Sequence, residues 1–422
     1  MTDKKITVLT ISDMPFSPSG VGTQTKYVCE ALLKSGKFKI ISLGGAIKHP
    51  KHDPLKTEEW GDDWIVYPVD HFGNPDIVRS IMRTYRPDIL WFMTDPRFYE
   101  WLWMMSDEIR PLVPMVYYHV WDNYPYPKFN KPWYLSTDKI VAISKLTHDI
   151  VKNVSPETDT EYLPHAVNSK AFSRMDEEDR KKIKAQNFPQ WEKDKFLFFW
   201  NNRNARRKLS GSVLWWFKEF LDEVGHDKAT LLMHTEPLDP NGQNLNSIMS
   251  ELGLVNGEVL ISQTKLPMEQ MSAIYNMADC TLNISDAEGF GLSTLESLAC
   301  GTPIVVNMTG GLQEQVTDGE NWFGIGIEAV SKAVVGSQQV PFIYEDRVSK
   351  EQFVGALKEI YNMPDDQRKK MIDGGIKHVE ENYNFETFNR NWIDLMLGVH
   401  EKYGSWENRK GYNAWECLEI GE

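Results

Sequence analysis

Glu288 and Glu296 are separated by seven residues, and the glycine-bearing run Gly289-Phe290-Gly291-Leu292 follows the first of them. Glycines just ahead of a helix let backbone amides come close to a bound anion or sugar, and the unpaired N–H groups and helix dipole favour phosphate or hydroxyl ligands there. Carboxylates beside such a turn can hold sugar hydroxyls through charge-assisted hydrogen bonds. Glu288 falls in the loop, where a carboxylate more often serves a ligand. Glu296 has two readings, because Ser293-Thr294-Leu295-Glu296 is also a capping box in which the carboxylate satisfies a backbone donor. A second cluster is cationic: Arg203, Arg206, Arg207 and Lys208 place four positive charges in six residues. That charge suits a departing diphosphate. A solvated face or a nucleic-acid patch is the plainer reading of a short charge run, but a place at a strand end favours phosphate.

Two further positions are weaker alone. Gly20 and Gly22 lie in Pro15-Phe16-Ser17-Pro18-Ser19-Gly20-Val21-Gly22, directly after the first apolar run. A βα turn with glycines allows close approach to phosphate, although a plain tight turn has the same pattern. His119, in Tyr118-His119-Val120-Trp121-Asp122, reads as a packed histidine or as a strand-end catalytic group, with Asp122 orienting it or merely turning the chain. The aromatic density between Trp91 and Tyr134 reads as core filling.

The elements that position these residues alternate along the chain. Strands are predicted at Ile6–Ile11, Phe38–Leu43, Ile65–Val69, Asp88–Met93, Met115–Val120 and Lys139–Ser144. A second set follows at Phe196–Trp200, Thr230–His234, Glu258–Ser262, Thr281–Ser285 and Pro303–Asn307. Amphipathic helical patterns fall between them, which implies βαβ units and an α/β fold of two doubly wound, mostly parallel sheets in tandem. In such sheets ligands bind at the carboxyl ends of the strands, here between the two domains. The charged stretch from about Asn168 to Lys195 is the candidate boundary, or else a solvated helix on one domain. The last part is helix-rich and ends in an aromatic, polar segment around Trp406, Tyr412 and Trp415.

Composition limits the function classes. The chain has 422 residues, 41% of them hydrophobic and 25% charged, which excludes disorder and fibrous architectures. Its formal net charge of −14 argues against a broad surface for nucleic-acid backbones or anionic lipid. No apolar run approaches the roughly 20 residues needed to cross a bilayer, and Met1-Thr2-Asp3-Lys4-Lys5 leads into a strand-length run rather than a secretory signal. Cys29, Cys280, Cys300 and Cys417 lack metal-ligand spacing and read as reduced thiols of a cytoplasmic protein.

The stretch from Glu258 to Phe323 resembles the C-terminal signature of the retaining family-four glycosyltransferases, whose GT-B fold has two Rossmann-like domains facing each other across a cleft. Glu288 and Glu296 meet the family's paired glutamates. The similarity continues through Leu266-Pro267, Tyr275-Asn276-Met277-Ala278-Asp279, Ala299-Cys300-Gly301-Thr302-Pro303-Ile304-Val305, Gly310-Gly311-Leu312-Gln313-Glu314 and Asp318-Gly319-Glu320-Asn321. Arg203 and Lys208 keep the family's five-residue spacing, with Asn202 where the family has glycine. Gly20 matches the second glycine of its N-terminal loop, and Ser19 departs from the first.

The resemblance implies that residues 1–170 form the acceptor-side domain and 171–385 the donor domain. Residues 386–422 would form a helical tail packing back toward the first. It implies a nucleotide-diphosphate sugar as donor, a hydroxyl acceptor, and retaining transfer without a metal ion or cofactor, since Arg203 and Lys208 neutralise the diphosphate. Glu288 would hold the donor sugar and Glu296 the ribose. The amides of Gly289, Phe290, Gly291 and Leu292 would hold sugar and phosphates, with Gly20 and Gly22 also on the donor side. His119 would lie near sugar and acceptor, and His119, Glu288, Arg203 and Lys208 form the expected catalytic set. The acceptor stays open among a glycan, a lipid, a small molecule, a protein and a modified nucleic-acid base, so a peripheral membrane or nucleic-acid partner remains in play. The alternatives are a GT-B-like nucleotide-sugar epimerase or hydrolase and a non-catalytic nucleotide-sugar-binding protein. A dinucleotide-dependent oxidoreductase fits less well, because no Gly-x-Gly-x-x-Gly follows Ile6–Ile11.

Overall fold

The computed structural model describes residues 4–191 and 195–412, so Cys417 and Trp415 lie outside the described residues. The first sheet contains β1 (Ile6–Asp13), β2 (Phe38–Gly45), β3 (Leu55–Lys56), β4 (Trp64–Pro68), β5 (Ile89–Thr94), β6 (Met115–His119), β7 (Lys139–Ala142) and β8 (Thr160–Tyr162). Their order is β3-β4-β2-β1-β5-β6-β7-β8. All pairs are parallel except β3 with β4. The second sheet contains β9 (Phe196–Asn201), β10 (Ala229–His234), β11 (Val259–Ser262), β12 (Cys280–Asn283), β13 (Ile304–Asn307) and β14 (Gly324–Ile327). It is wholly parallel, in the order β11-β10-β9-β12-β13-β14. Both orders reverse beside the first strand of their domain, at β1/β5 and at β9/β12, and such switch points open a crevice at the strand ends.

Strands buried on both faces read as continuous apolar runs. Ile-Leu-Trp-Phe-Met-Thr of β5 is buried throughout, as is Met-Val-Tyr-Tyr-His of β6. The elements that periodicity misses lack such runs. Strand β14 is Gly-Ile-Gly-Ile, and β15 (Ser331–Val335), largely exposed, pairs with β16 (Ile343–Arg347), half-buried, in an antiparallel hairpin. The hairpin bridges the domains. Tyr344 N–H donates to the Tyr124 carbonyl, and Asn123 Nδ2 donates to the Tyr344 carbonyl at 2.7 Å. Val340, between its strands, is buried in the outer core of the first domain.

The chain crosses between domains over residues 167–174. Val167 N–H donates to the Tyr383 carbonyl at 3.1 Å, and Arg174 Nη1 to the Gly301 carbonyl at 2.8 Å. The charged helix Glu177–Asn187 then lies on the second domain, where Arg180 Nε donates to the Asn276 carbonyl and Lys184 pairs with Asp279. Helix Phe385–Tyr403 returns to cover the first sheet. Trp392 is fully buried there, 4.8 Å from the Tyr118 ring and 6.0 Å from the Trp91 ring. Beyond it Ser405 Oγ donates to Asp88 at 2.7 Å and Arg409 Nη2 to Asp138 at 2.8 Å. One apolar core runs through both domains and this helix. Cys29, Cys280 and Cys300 are buried free thiols. Among the described residues no helix is long and apolar enough to cross a membrane.

Candidate active site

A cleft of about 1580 Å³ lies between the carboxyl edges of the two sheets. It is walled by the loops after β1, β5 and β6 on one side and by those after β9 and β12 on the other, with the hairpin at its margin. Arg203, Lys208, Glu288, Glu296, Gly20, Gly289, Phe290, Gly291 and Leu292 all line it.

The cationic loop after β9 is braced from within. Asn204 is fully buried, its Nδ2 donates to the Gln243 carbonyl at 2.7 Å, and its Oδ1 accepts from Ser210 Oγ at 2.6 Å. Leu209, the residue after Lys208, has φ 55°, a left-handed backbone uncommon for a leucine, where helix Ser210–Val224 begins. Lys208 is buried and pairs with Glu288, while Arg207 Nη1 lies 3.8 Å from the same carboxylate and donates to the Ala287 carbonyl. Burial pushes Glu288 up, but Lys208 and Arg207 outweigh it and hold the carboxyl down to about 2. Burial pulls the Lys208 ammonium down to about 8 against the attraction of Glu288. Both groups are therefore charged at neutral pH. Arg206 turns to Glu345 of the hairpin at 2.9 Å. Arg203 stays at the rim, 63% exposed, and pairs with Asp239 at 2.6 Å. The spacing that singles out Arg203 thus passes over Arg207, the guanidinium that reaches Glu288.

The loop after β12 is set by backbone geometry. Gly291 has φ 92°, and a Cβ there would come within 2.5 Å of Leu312 Cδ2. It starts helix Leu292–Ala299 with no side-chain cap, which leaves the first amides facing the cleft without an intrahelical partner. Gly311 N–H donates to the Glu288 carbonyl at 3.1 Å from behind. The capping-box reading of Glu296 does not hold. Its carboxylate instead accepts from the Tyr275 hydroxyl at 2.9 Å, and that hydroxyl accepts from Asn201 Nδ2 at 2.8 Å. Burial raises Glu296 to about 7 despite the Tyr275 hydrogen bond.

Two predicted residues do not reach the cleft lining. His119 is fully buried, with Nε2 2.8 Å from the Tyr134 hydroxyl. Side chains alternate along β6, so His119 joins Tyr117 on the face toward Tyr134, while Tyr118 faces Trp392. The chain turns into the cleft only after it, at Val120, Trp121 and Asp122. Gly22 sits inside helix Gly20–Lys34, where a Cβ would come within 2.6 Å of the Met14 carbonyl oxygen, so its role is packing. Cleft residues the sequence did not single out include Asp13, Asp95 and His165, and Asp122, read there as orienting His119 or turning the chain, lines the cleft that His119 does not reach. Asp13, Asp95 and Asp122 stand at or just beyond strand ends, which is the signal that could have found them. His165 lies 4.9 Å from the Phe290 ring across the domain boundary.

Residues 240–378 match the family glycosyl transferases group 1. A D-inositol 3-phosphate glycosyltransferase of Acidothermus cellulolyticus is 37% identical over 87 residues, 21% of this chain and 18% of the relative. A GDP-mannose-dependent alpha-(1-6)-phosphatidylinositol monomannoside mannosyltransferase of Mycolicibacterium smegmatis is 32% identical over 105 residues, 22% of this chain and 27% of the relative. These alignments therefore span well under two thirds of the relatives' length. Among solved structures, the sucrose-phosphate synthase of Thermosynechococcus elongatus superposes with a TM-score of 0.74 at 14% identity, over 94% of this chain and 100% of that one. Anabaena HepE in complex with UDP and glucose superposes at 0.67 and 14%, over 93% and 100%. The chain thus has the GT-B fold over the 93–94% of its length that superposes, and within it residues 240–378 match the glycosyl transferases of group 1.

Proposed function

We propose that the protein is a retaining glycosyltransferase that moves a sugar from a nucleoside-diphosphate donor to a hydroxyl acceptor without a metal ion. The observation that carries this reading is the buried Lys208–Glu288 pair, with Arg207 beside it, at the carboxyl edge of one sheet and facing the other domain across a cleft. The donor diphosphate lies against Lys208 and Arg207, with Arg203 at the rim and the uncapped amides of helix Leu292–Ala299 adding partial positive charge. Glu288 then holds sugar hydroxyls and Glu296 the ribose. The bond from the anomeric carbon to the phosphate oxygen breaks as the bond to the acceptor oxygen forms on the same face. The departing phosphate oxygen takes the acceptor's proton, so no carboxylate nucleophile is needed. Most of the rate comes from orientation and from fixed positive charge at the leaving group.

The relatives' names and the neighbours' ligands make UDP and GDP the first nucleotides to test. A thermal-shift screen against nucleoside diphosphates and their sugars should give one selective rise, since a ligand of the native state stabilises it by mass action. Mass spectrometry of products from that donor and an acceptor panel should then show a new glycoside with release of the nucleoside diphosphate. Free sugar as the sole product at every acceptor concentration indicates a hydrolase. No nucleotide-dependent shift refutes the reading.

A further inference from the structure

Where the first domain faces the Lys208–Glu288 pair, its wall carries an uncommitted carboxylate. Asp122 lies in the turn Val120-Trp121-Asp122-Asn123, and both of its neighbours are anchored. Thr147 Oγ1 donates to the Trp121 carbonyl at 2.7 Å, Trp121 Nε1 to the Asn123 carbonyl at 2.9 Å, and Asn123 Nδ2 to the Tyr344 carbonyl of the hairpin at 2.7 Å. The turn is thus fixed from two sides. Among the described residues the Asp122 carboxylate has no hydrogen bond or ion pair, and it lines the cleft. The charged groups that face it are Arg207, Lys208 and Glu288 from the second domain and Asp95 and Arg97 from the first. The other carboxylates there are engaged: Glu288 by Lys208, Asp95 by Arg97 at 2.8 Å, and Asp13 by the Ser19 hydroxyl at 2.7 Å. His119, the nearest alternative in sequence, is sealed behind the sheet.

We propose that Asp122 positions the acceptor, accepting the hydrogen bond of the hydroxyl to be glycosylated and selecting acceptors that carry no phosphate or carboxylate beside that hydroxyl. This rests on the transferase reading above. An acceptor between the first-domain wall and a sugar held by Glu288 meets Asp122 first. A carboxylate there orients the hydroxyl and raises electron density on its oxygen; the proton still leaves with the diphosphate, and Asp122 stays ionised throughout. The cations of the same wall are already taken, Arg97 by Asp95 and Lys26 by Glu30 at 3.6 Å. An anionic acceptor would therefore bring like charge against Asp122 and Asp13, neither of which is paired with a cation, and this disfavours it. Burial, with Glu288 and Asp95 nearby, raises the Asp122 carboxyl to about 6 although Arg207 and Lys208 pull it down, so orientation fails as pH falls through that value.

The test uses the full chain, UDP-glucose or GDP-mannose as donor, and methyl glucoside, glucose 6-phosphate or water alone as acceptor. Wild type should prefer methyl glucoside to glucose 6-phosphate and lose activity below about pH 6. Asp122→Asn should lower kcat for the neutral acceptor, or for release of nucleoside diphosphate to water where neither glycoside is taken, by roughly tenfold or more, the range expected when a charge-assisted hydrogen bond becomes a neutral one. It should abolish the acid limb and leave the Kd for the nucleoside diphosphate within about twofold, as a group on the acceptor side requires. Asp122→Glu should restore part of the rate and the acid limb. An Asn variant with near wild-type kcat and an intact acid limb overturns the proposal, as does parallel loss of nucleotide affinity, which puts Asp122 on the donor. Preference for glucose 6-phosphate overturns the stated selectivity. A wild type that binds no nucleoside diphosphate fails at the transferase reading itself, and that failure is visible before any variant is made.

Discussion

Replacing Lys208 with methionine separates the two things its ammonium does. In the ligand-free protein it neutralises Glu288, and the two side chains are only 9% and 12% exposed. Removing one partner of a buried ion pair costs about 3–5 kcal/mol, because the survivor keeps its desolvation penalty. Arg207 remains 3.8 Å from Glu288 and shields part of that charge, so the loss falls at the lower end, about 3 kcal/mol. Adding Glu288→Gln removes the stranded charge, and the cycle should show a coupling of about 1–3 kcal/mol in favour of the double variant. Turnover should follow a different course. A fixed cation at a developing negative charge is worth about 10²–10³ in kcat, so Lys208→Met should lose that much, and the double variant, with stability restored, should stay inactive. Urea unfolding at pH 7 and release of nucleoside diphosphate measure the two halves. Purely additive stabilities, or a folded Lys208→Met protein with near wild-type turnover, refute the reasoning.

Other outcomes follow from the same geometry. Glu296 is raised from 4.5 to about 7, so the folded state holds a proton that the unfolded state gives up between those values, and stability falls as pH rises through that window. Glu296→Gln should therefore unfold at higher urea than wild type at pH 8, by up to about 3 kcal/mol, and lose that advantage at pH 4. Glu288 works in the opposite direction. Its carboxyl drops to about 2 in the folded state, so its contribution is lost as pH falls below the usual glutamate range, and Glu288→Gln should flatten the acid limb of an unfolding-against-pH curve. His119→Leu leaves the Tyr134 hydroxyl only the longer bond from Asn130 Nδ2 at 3.4 Å and should cost about 1–3 kcal/mol in urea unfolding with turnover nearly unchanged. Trp392→Ala opens a cavity against Trp91 and Tyr118 and should cost about 3–5 kcal/mol.

Much of this arrangement is legible in the residues because buried parallel strands announce themselves as unbroken apolar runs, and the loops that follow them are where ligands bind. Runs such as Phe196–Trp200 and Thr281–Ser285 place Lys208 and Glu288 each just beyond a strand, and the observed strand order makes those strands neighbours. What a linear reading lacks is the direction of each side chain and the partner it meets across the domains. Nothing in Tyr118-His119-Val120-Trp121-Asp122 says that the histidine falls on the closed face of β6 while the aspartate faces the cleft. The spacing rule favours Arg203 over Arg207, and only the position of Asp239 shows why the first guanidinium is held at the rim. Glu296 matches a capping pattern that the Tyr275 hydroxyl overrides. The hairpin escapes notice because its strands are short and mix charged with apolar residues.

Helix Phe385–Tyr403 completes a surface whose strands lie near the other end of the chain. About 300 residues separate Trp91 from Trp392, and at ribosomal rates that distance takes roughly 15–60 s to synthesise. Throughout that interval helix Gly20–Lys34 packs on this face of the first sheet, but Trp91 and Tyr118 lack the cover that Trp392 gives them. Nascent chains in this state attract holdase chaperones and stick to one another, so yield in a cell should depend on translation speed and chaperone supply more than the finished protein's stability suggests. A premature stop before residue 385 would release a polypeptide with both sheets and without the helix that covers Trp91 and Tyr118.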